Sequence, residues 1–319
     1  MPTEDDFLEA LFNRLPIPPA ELVIPPGDDC AGLRVGRGRI LLVAIDQIVG
    51  GRHYRLEGPG APKPEEIGRK LLARNLSDIA AMGGRPLYCL VASAFSPRRG
   101  EAWLQRFLDG IVTLARAFGV FMIGGDLAVT PSDDTASLVI LGEAPEKKVV
   151  RRSGARPGDV LISTGCFGRS VATGHHLRFV PRCREGEWLA SKGYARAMID
   201  VSDGLLLDAR RLCRSSGTGL RLNTNCIPLR DDAASLREAL TDGEDYELLF
   251  AAAKRKTGRL LTEWPFRETP LTIIGEFFAS DRPVIRDWKG NLLDFEGAGG
   301  FDHFASPGDG GEGEGEGAS

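Results

Sequence analysis

At 319 residues with 42% hydrophobic content, the chain can build a core larger than one average domain needs, which predicts one large or two medium domains and excludes disorder as the main state. A formal net charge of -4, with 40 scattered Lys and Arg, offers no basic face to a nucleic-acid backbone, so nucleic acid is not expected as a partner. Cys30, Cys89, Cys166, Cys183, Cys213 and Cys226 form neither a CxxC pair nor a zinc spacing, and no signal-peptide or membrane-length apolar run occurs; a cytoplasmic protein with reduced thiols and no membrane partner is expected.

Thr3 with Asp6 makes a capping box, and Phe7, Leu8, Leu11, Phe12 and Leu15 recur at helical spacing until Pro16, predicting an opening amphipathic helix. The apolar run RILLVAI at 39–45 predicts a buried strand ending at Asp46. Residues 64–82 read as a helix; Leu104, Phe107, Leu108, Ile111, Leu114, Ala115 and Phe118 form the stripe of another, closed by Gly119. Strands are predicted at 88–95, 120–123 and 137–141. Beyond a polar stretch at 143–152 the pattern restarts, with strands at 160–164, 198–201, 247–253 and 271–276 and a helix over 205–213. The class is α/β (α+β) in two mixed domains, 1–147 and 148–307, and the Gly/Glu tail at 308–319 has nothing to bury and is expected to be disordered.

Short polar clusters interrupt these elements: Gly27-Asp28-Asp29, Asp46, Asn75-Leu76-Ser77-Asp78, Gly124-Gly125-Asp126, Asp200-Val201-Ser202-Asp203-Gly204 and Gly243-Glu244-Asp245-Tyr246-Glu247. Each aspartate alone is a common cap or turn residue. As a converging set they would repel unless cations sat between them, and magnesium favours carboxylates together with phosphate oxygens. No GxxxxGK[ST] loop, kinase HRD/DFG pair, convincing GxGxxG, HExxH or triad order appears. STGCFGRS at 163–170 follows a strand and is a weak candidate for an anion-binding nest.

Taken together, GDDCA at 27–31, DQIVGGRHY at 46–54, NLSDIAAMGG at 75–84, IGGD at 123–126, RSGARPGD at 152–159, IDVSDGL at 199–205, GEDYEL at 243–248 and GFDHF at 300–304 resemble thiamine-monophosphate kinase, of the aminoimidazole ribonucleotide synthetase-like superfamily. The resemblance implies an N-terminal α/β domain that dimerises through its sheet, a C-terminal α/β domain, and ATP between them. It implies transfer of the γ-phosphoryl group of ATP to thiamine monophosphate with several magnesium ions. On that basis Asp29, Asp46, Asp78, Asp126, Asp200 and Asp203 fall on metal ligands, Gly125, Asp126, Arg152 and Ser202 on nucleotide contacts, and His53, Glu244 and Phe301 on positions touching thiamine phosphate. The acceptor is itself a phosphate with a second pKa near roughly 6, so no catalytic general base is required.

The chain departs from the family pattern at several places. Ala44 and Ile45 stand where Ser-Thr is usual, Gln47 replaces a Thr or Met, and Leu127-Ala128-Val129 stands where hydroxyl residues and an arginine usually follow. The segment between Gly174 and His176 is shortened. Two alternatives follow: a catalytically weakened or non-catalytic nucleotide-binding paralogue, or another ATP-using enzyme of the superfamily.

Overall fold

The computed structural model describes residues 8, 10–12, 14–131 and 133–293. The first of two six-stranded sheets contains β1 (Leu22–Ile24), β2 (Ala31–Gly36), β3 (Arg39–Val49), β4 (Arg85–Phe95), β5 (Phe121–Val129) and β6 (Thr135–Pro145), in the order β1-β2-β3-β6-β4-β5. The second contains β7 (Asp159–Thr164), β8 (Ala195–Asp200), β9 (Thr218–Leu222), β10 (Leu248–Ala253), β11 (Leu271–Ala279) and β12 (Ile285–Asp287), in the order β12-β9-β11-β7-β10-β8. Among the described strands β4–β5 and β9–β12 pair in parallel and the others antiparallel. The mixed α/β class is as the sequence implies.

The first helix of the sheet layer, α1 (Pro64–Ala81), begins with proline at its first turn, and the Glu66 carboxylate accepts from the Lys63 N–H at 2.9 Å. The second, α2 (Gly100–Phe118), ends where Gly119 adopts φ 67°. These two helices touch backbone to backbone: a Cβ on Gly68 would strike the Phe107 carbonyl, and one on Gly110 would strike the Glu65 carbonyl. Behind α1 lie β3, β4 and β6; on its other side lie α3 (His175–Arg178), α4 (Cys183–Lys192) and β8. Buried residues therefore occur almost all round α1, including Lys70, Asn75 and Ser77.

Both faces of the second sheet are covered. Val160, Ile162, Met198, Leu248 and Phe250 join the core that continues through α1 into the first sheet. Their neighbours Leu161, Ala197, Ile199, Leu249 and Ala251 pack with α5 (Leu205–Ser216) in a second core. Two-sided burial is why β7 and β10 are buried along their whole length and carry the unbroken apolar runs 160–162 and 248–253. Further short helices are α6 (Leu236–Thr241) and α7 (Thr257–Glu263).

Several strand bounds differ from the sequence reading, and two of the differences place an expected site residue inside a strand. Strand β3 does not end at Asp46 but runs to Val49, because Ile48 returns to the core on the same alternation as Leu42 and Ala44. Strand β5 likewise continues through Gly124-Gly125-Asp126; a Cβ on Gly125 would strike the Val91 carbonyl, so the strand needs glycine to lie against β4. Strands β1, β2, β9 and β12 and the helices α3, α4, α6 and α7 are additional to those expected. At the N-terminus residues 8 and 10–12 are helical, whereas Thr3, Asp6, Phe7, Phe301 and the tail at 308–319 lie outside the described residues. All six cysteines are free of disulfides, and among the described residues no helix is long and apolar enough to cross a membrane.

Candidate active site

Lys70, Arg74 and Asp78 stand four residues apart on α1 and share one face of it. At the Asp78 end, carboxylate oxygens of Asp29, Asp78 and Asp200 all lie within 4.8 Å of one another. Asp29 enters from the turn after β1, where Gly27 takes φ 120°, and Asp200 closes β8. Asp29 Oδ1 accepts from Arg152 Nη2 at 2.7 Å, while its Oδ2 is buried without a hydrogen-bond partner. Asp200 Oδ2 accepts from the Ser77 hydroxyl at 2.5 Å. Burial, followed by repulsion among neighbouring aspartates, pushes the Asp78 and Asp200 carboxyls well above their ordinary range. Hard oxygen donors, buried and short of positive charge, with one oxygen unpartnered, fit a divalent cation such as magnesium.

The remaining expected metal residues are not in this group of three. Asp46 lies beside it on the inner face of β3, its N–H donating to Asn75 Oδ1 at 3.2 Å and its carboxylate 3.4 Å from Arg74 Nη2. Asp203 pairs with Arg211, and its N–H donates to Asp208 Oδ2 at 3.1 Å. Asp208 is fully buried, and burial raises its carboxyl to about 7 against the pull of Arg211. Asp126 is separated by register. Asp46, Leu138, Val91 and Gly125 form one cross-strand row, and Gln47, Ser137, Ala92 and Asp126 form the next. Successive rows face opposite sides, so Asp126 is on the outer face of the sheet while Asp46 is on the inner one. The same parity puts Ala44 on the inner face and Ile45, 65% exposed, on the outer. Of the two missing hydroxyls, only that at Ala44 shares a face with Asp46.

Arg152 is held by the chain itself: its N–H donates to Asp28 Oδ1 at 2.6 Å and its guanidinium to Asp29. The Ser202 carbonyl accepts from the Glu244 N–H at 2.7 Å.

At the Lys70 end of the stripe opens a cleft of about 760 Å³, lined by His53, Tyr54, Gly174, His176, Arg178 and Glu244 among others. The Lys70 side chain is 0% exposed; its ammonium donates to the His53 carbonyl at 2.7 Å and to both Glu244 oxygens at 2.8 and 2.7 Å. Burial pulls Lys70 down to about 8, with Glu244 opposing the drop. Glu244 and Tyr246 both take positive φ, 54° and 52°, a backbone strain held by N–H bonds to the Ser202 and Val201 carbonyls. Tyr246 stacks on Phe179 at 4.1 Å between ring centroids, and His53 Nδ1 accepts from the Val49 N–H at 3.0 Å. In the expected anion nest the Gly168 N–H meets Asp245 Oδ1 at 3.2 Å and the Arg169 N–H meets Asp242 Oδ2 at 2.9 Å. Those two amides hold the chain's own carboxylates.

Lys70, Arg74, Asp208 and Arg211 were not singled out in the sequence, where Asp28 and Ser77 stood in polar clusters without an assigned role. For Lys70 and Arg74 the signal was their spacing from Asp78 on a helix.

Residues 27–144 match the family model for AIR synthase related protein, N-terminal domain. The thiamine-monophosphate kinase of Salmonella typhimurium is 32% identical over 340 residues, an alignment covering 95% of this chain and 99% of that protein. The chain belongs to the thiamine-monophosphate kinase family. The Rhodopirellula baltica thiamine-monophosphate kinase is 34% identical over 290 residues, covering 86% and 89% of the two chains. The crystal structure of thiamine-monophosphate kinase from Stenotrophomonas maltophilia aligns with a TM-score of 0.70 at 29% identity, over 90% of this chain and 95% of that one. The structure of AaThiL complexed with AMPPCP and TMP shares the fold with a TM-score of 0.80 at 23% identity, over 95% and 97%.

Proposed function

We propose that the chain transfers the γ-phosphoryl group of ATP to thiamine monophosphate in the cytoplasm, giving thiamine diphosphate and ADP. Beyond family membership, one observation carries this reading: a single helix face joins a buried carboxylate cluster to a cleft lined by His53 and Glu244. An oxygen of the acceptor phosphate attacks the γ-phosphorus; that P–O bond forms as the bond to the β,γ-bridging oxygen breaks and ADP leaves. The ionised acceptor needs no general base. Asp29, Asp78 and Asp200, with Asp46 beside them and Asp203 assigned to the same role, would hold magnesium, which when bound neutralises phosphate charge. Gly125, Arg152 and Ser202 are assigned to the nucleotide, and His53, Glu244 and Phe301 to the acceptor. We read residues 1–147 as the metal- and nucleotide-binding unit and 148–307 as its companion.

The same reading includes a homodimer. Strand β5 is an edge with Phe121, Ile123, Leu127 and Val129 all exposed, and a second copy would cover it. Asp126, one row from Asp46 and on the outer face, is not brought to the carboxylate cluster within one copy of the chain.

Product analysis with thiamine monophosphate, ATP and magnesium tests the reaction, with Asp203→Asn as control. Thiamine diphosphate formed by the wild type and not by the control is the expected result. ATP bound without product would instead support the non-catalytic reading, for which the loss of the hydroxyl at Ala44 is the favouring observation.

A further inference from the structure

We propose that Arg74 is a catalytic residue whose guanidinium donates to the phosphoryl oxygens passing between the two substrates, a role that rests on the kinase reading above. With a rise of 1.5 Å per residue, Arg74 stands about 6 Å along α1 from both Lys70 and Asp78. Lys70 touches the acceptor cleft through His53 and Glu244, and Asp78 belongs to the carboxylate cluster. A phosphoryl group moving from cluster to cleft passes the residue between them.

The side chain of Arg74 is only 11% exposed and incompletely bonded. Nη1 donates to the Gln47 carbonyl at 3.2 Å, Nη2 reaches Asp46 Oδ1 at a long 3.4 Å, and the buried Nε has no partner. A buried N–H without an acceptor is costly, and a phosphate oxygen would satisfy it. The planar fork suits phosphate, and although burial opposes the charge, the Asp46 and Glu244 carboxylates hold it firmly cationic. Leu127-Ala128-Val129 leaves the end of β5 without a basic donor, and Arg74 supplies one from α1. Its proton stays in place throughout; only P–O bonds exchange.

The test compares wild type, Arg74→Ala and Arg74→Lys with thiamine monophosphate, ATP and magnesium, with and without added guanidinium ion below denaturing concentration. Arg74→Ala is expected to lose about 100-fold or more in kcat with a smaller change in either KM. Free guanidinium restores about tenfold of that loss, and lysine, a point charge without the fork, restores only part. A kcat within about threefold of wild type overturns the proposal, as does a loss that guanidinium does not relieve in a variant with unchanged melting temperature. Should Arg74→Ala not fold, Arg74→Lys decides: wild-type kcat there overturns the proposal, and a large fall with KM values held supports it. A wild type that makes no thiamine diphosphate removes the kinase reading and this role together, whereas an active wild type with an equally active Arg74→Ala removes this role alone.

Discussion

Replacing Asp78 by asparagine should stabilise the protein when divalent metal is absent. Two like-charge pairs end on Asp78, with oxygens up to 4.8 Å apart. At that separation and an effective dielectric constant near 20, each pair would cost about 3.5 kcal/mol if all three groups were ionised. Proton uptake relieves most of this, consistent with the raised carboxyls of Asp78 and Asp200, and leaves about 1–3 kcal/mol for the variant to recover. At about 2 °C per kcal/mol for a chain of this size, the melting temperature in chelator near neutral pH should rise by roughly 2–6 °C. Titration with magnesium should reverse the order, since wild type gains about 2.7 kcal/mol at one hundred times its Kd and the variant less. Scanning calorimetry in chelator and in graded magnesium measures both effects. A variant that melts lower than wild type in chelator, and responds equally to magnesium, would refute the idea that these carboxylates form a cation site.

Lys70→Met leaves Glu244 without its ammonium partner and should cost about 2–4 kcal/mol in urea unfolding, with Lys70→Met/Glu244→Gln recovering part of it. Gly110→Ala drives a methyl into the Glu65 carbonyl and should destabilise by about 1–3 kcal/mol in the same assay despite alanine's better helix propensity. His175 is pushed down to about 4 by burial first and Arg230 second, so the native ring is neutral where an unfolded one takes up a proton. The His175 contribution to stability should therefore be constant above about pH 6.5 and fall as pH drops toward 4; the full shift would be about 3 kcal/mol, reduced to about 1–2 by the ring's access to solvent. His175→Gln should flatten that part of a pH-stability profile.

Asp29, Asp78 and Asp200, grouped by their motifs, come together in the structure because each sits where its own element delivers it: a turn after β1, the body of α1, the end of β8. The separation of Asp46 from Asp126 was not legible, since it depends on a register between β3, β6, β4 and β5 that no single segment encodes. Lys70 and Arg74 were hidden for a different reason. Charged residues in a helix ordinarily mark its solvent face, and α1 has hardly any, being covered by a sheet on one side and by α4 and β8 on the other. Likewise no motif marks Gly68 and Gly110, where the backbones of the two helices touch.

The helix α1 belongs to both sheets at once, and its apolar residues lie in one core with Val160, Ile162, Met198 and Phe250. Cutting the chain near residue 147 would strip α1 of half its cover and leave a broad greasy flank on either fragment. The two halves are thus poor candidates for independent expression, and a wide hinge-like swing between them is equally disfavoured. Residues from the segments 51–62 and 171–178 rim the cleft, so the opening that ligand entry needs is expected of these peripheral segments and not of the shared core.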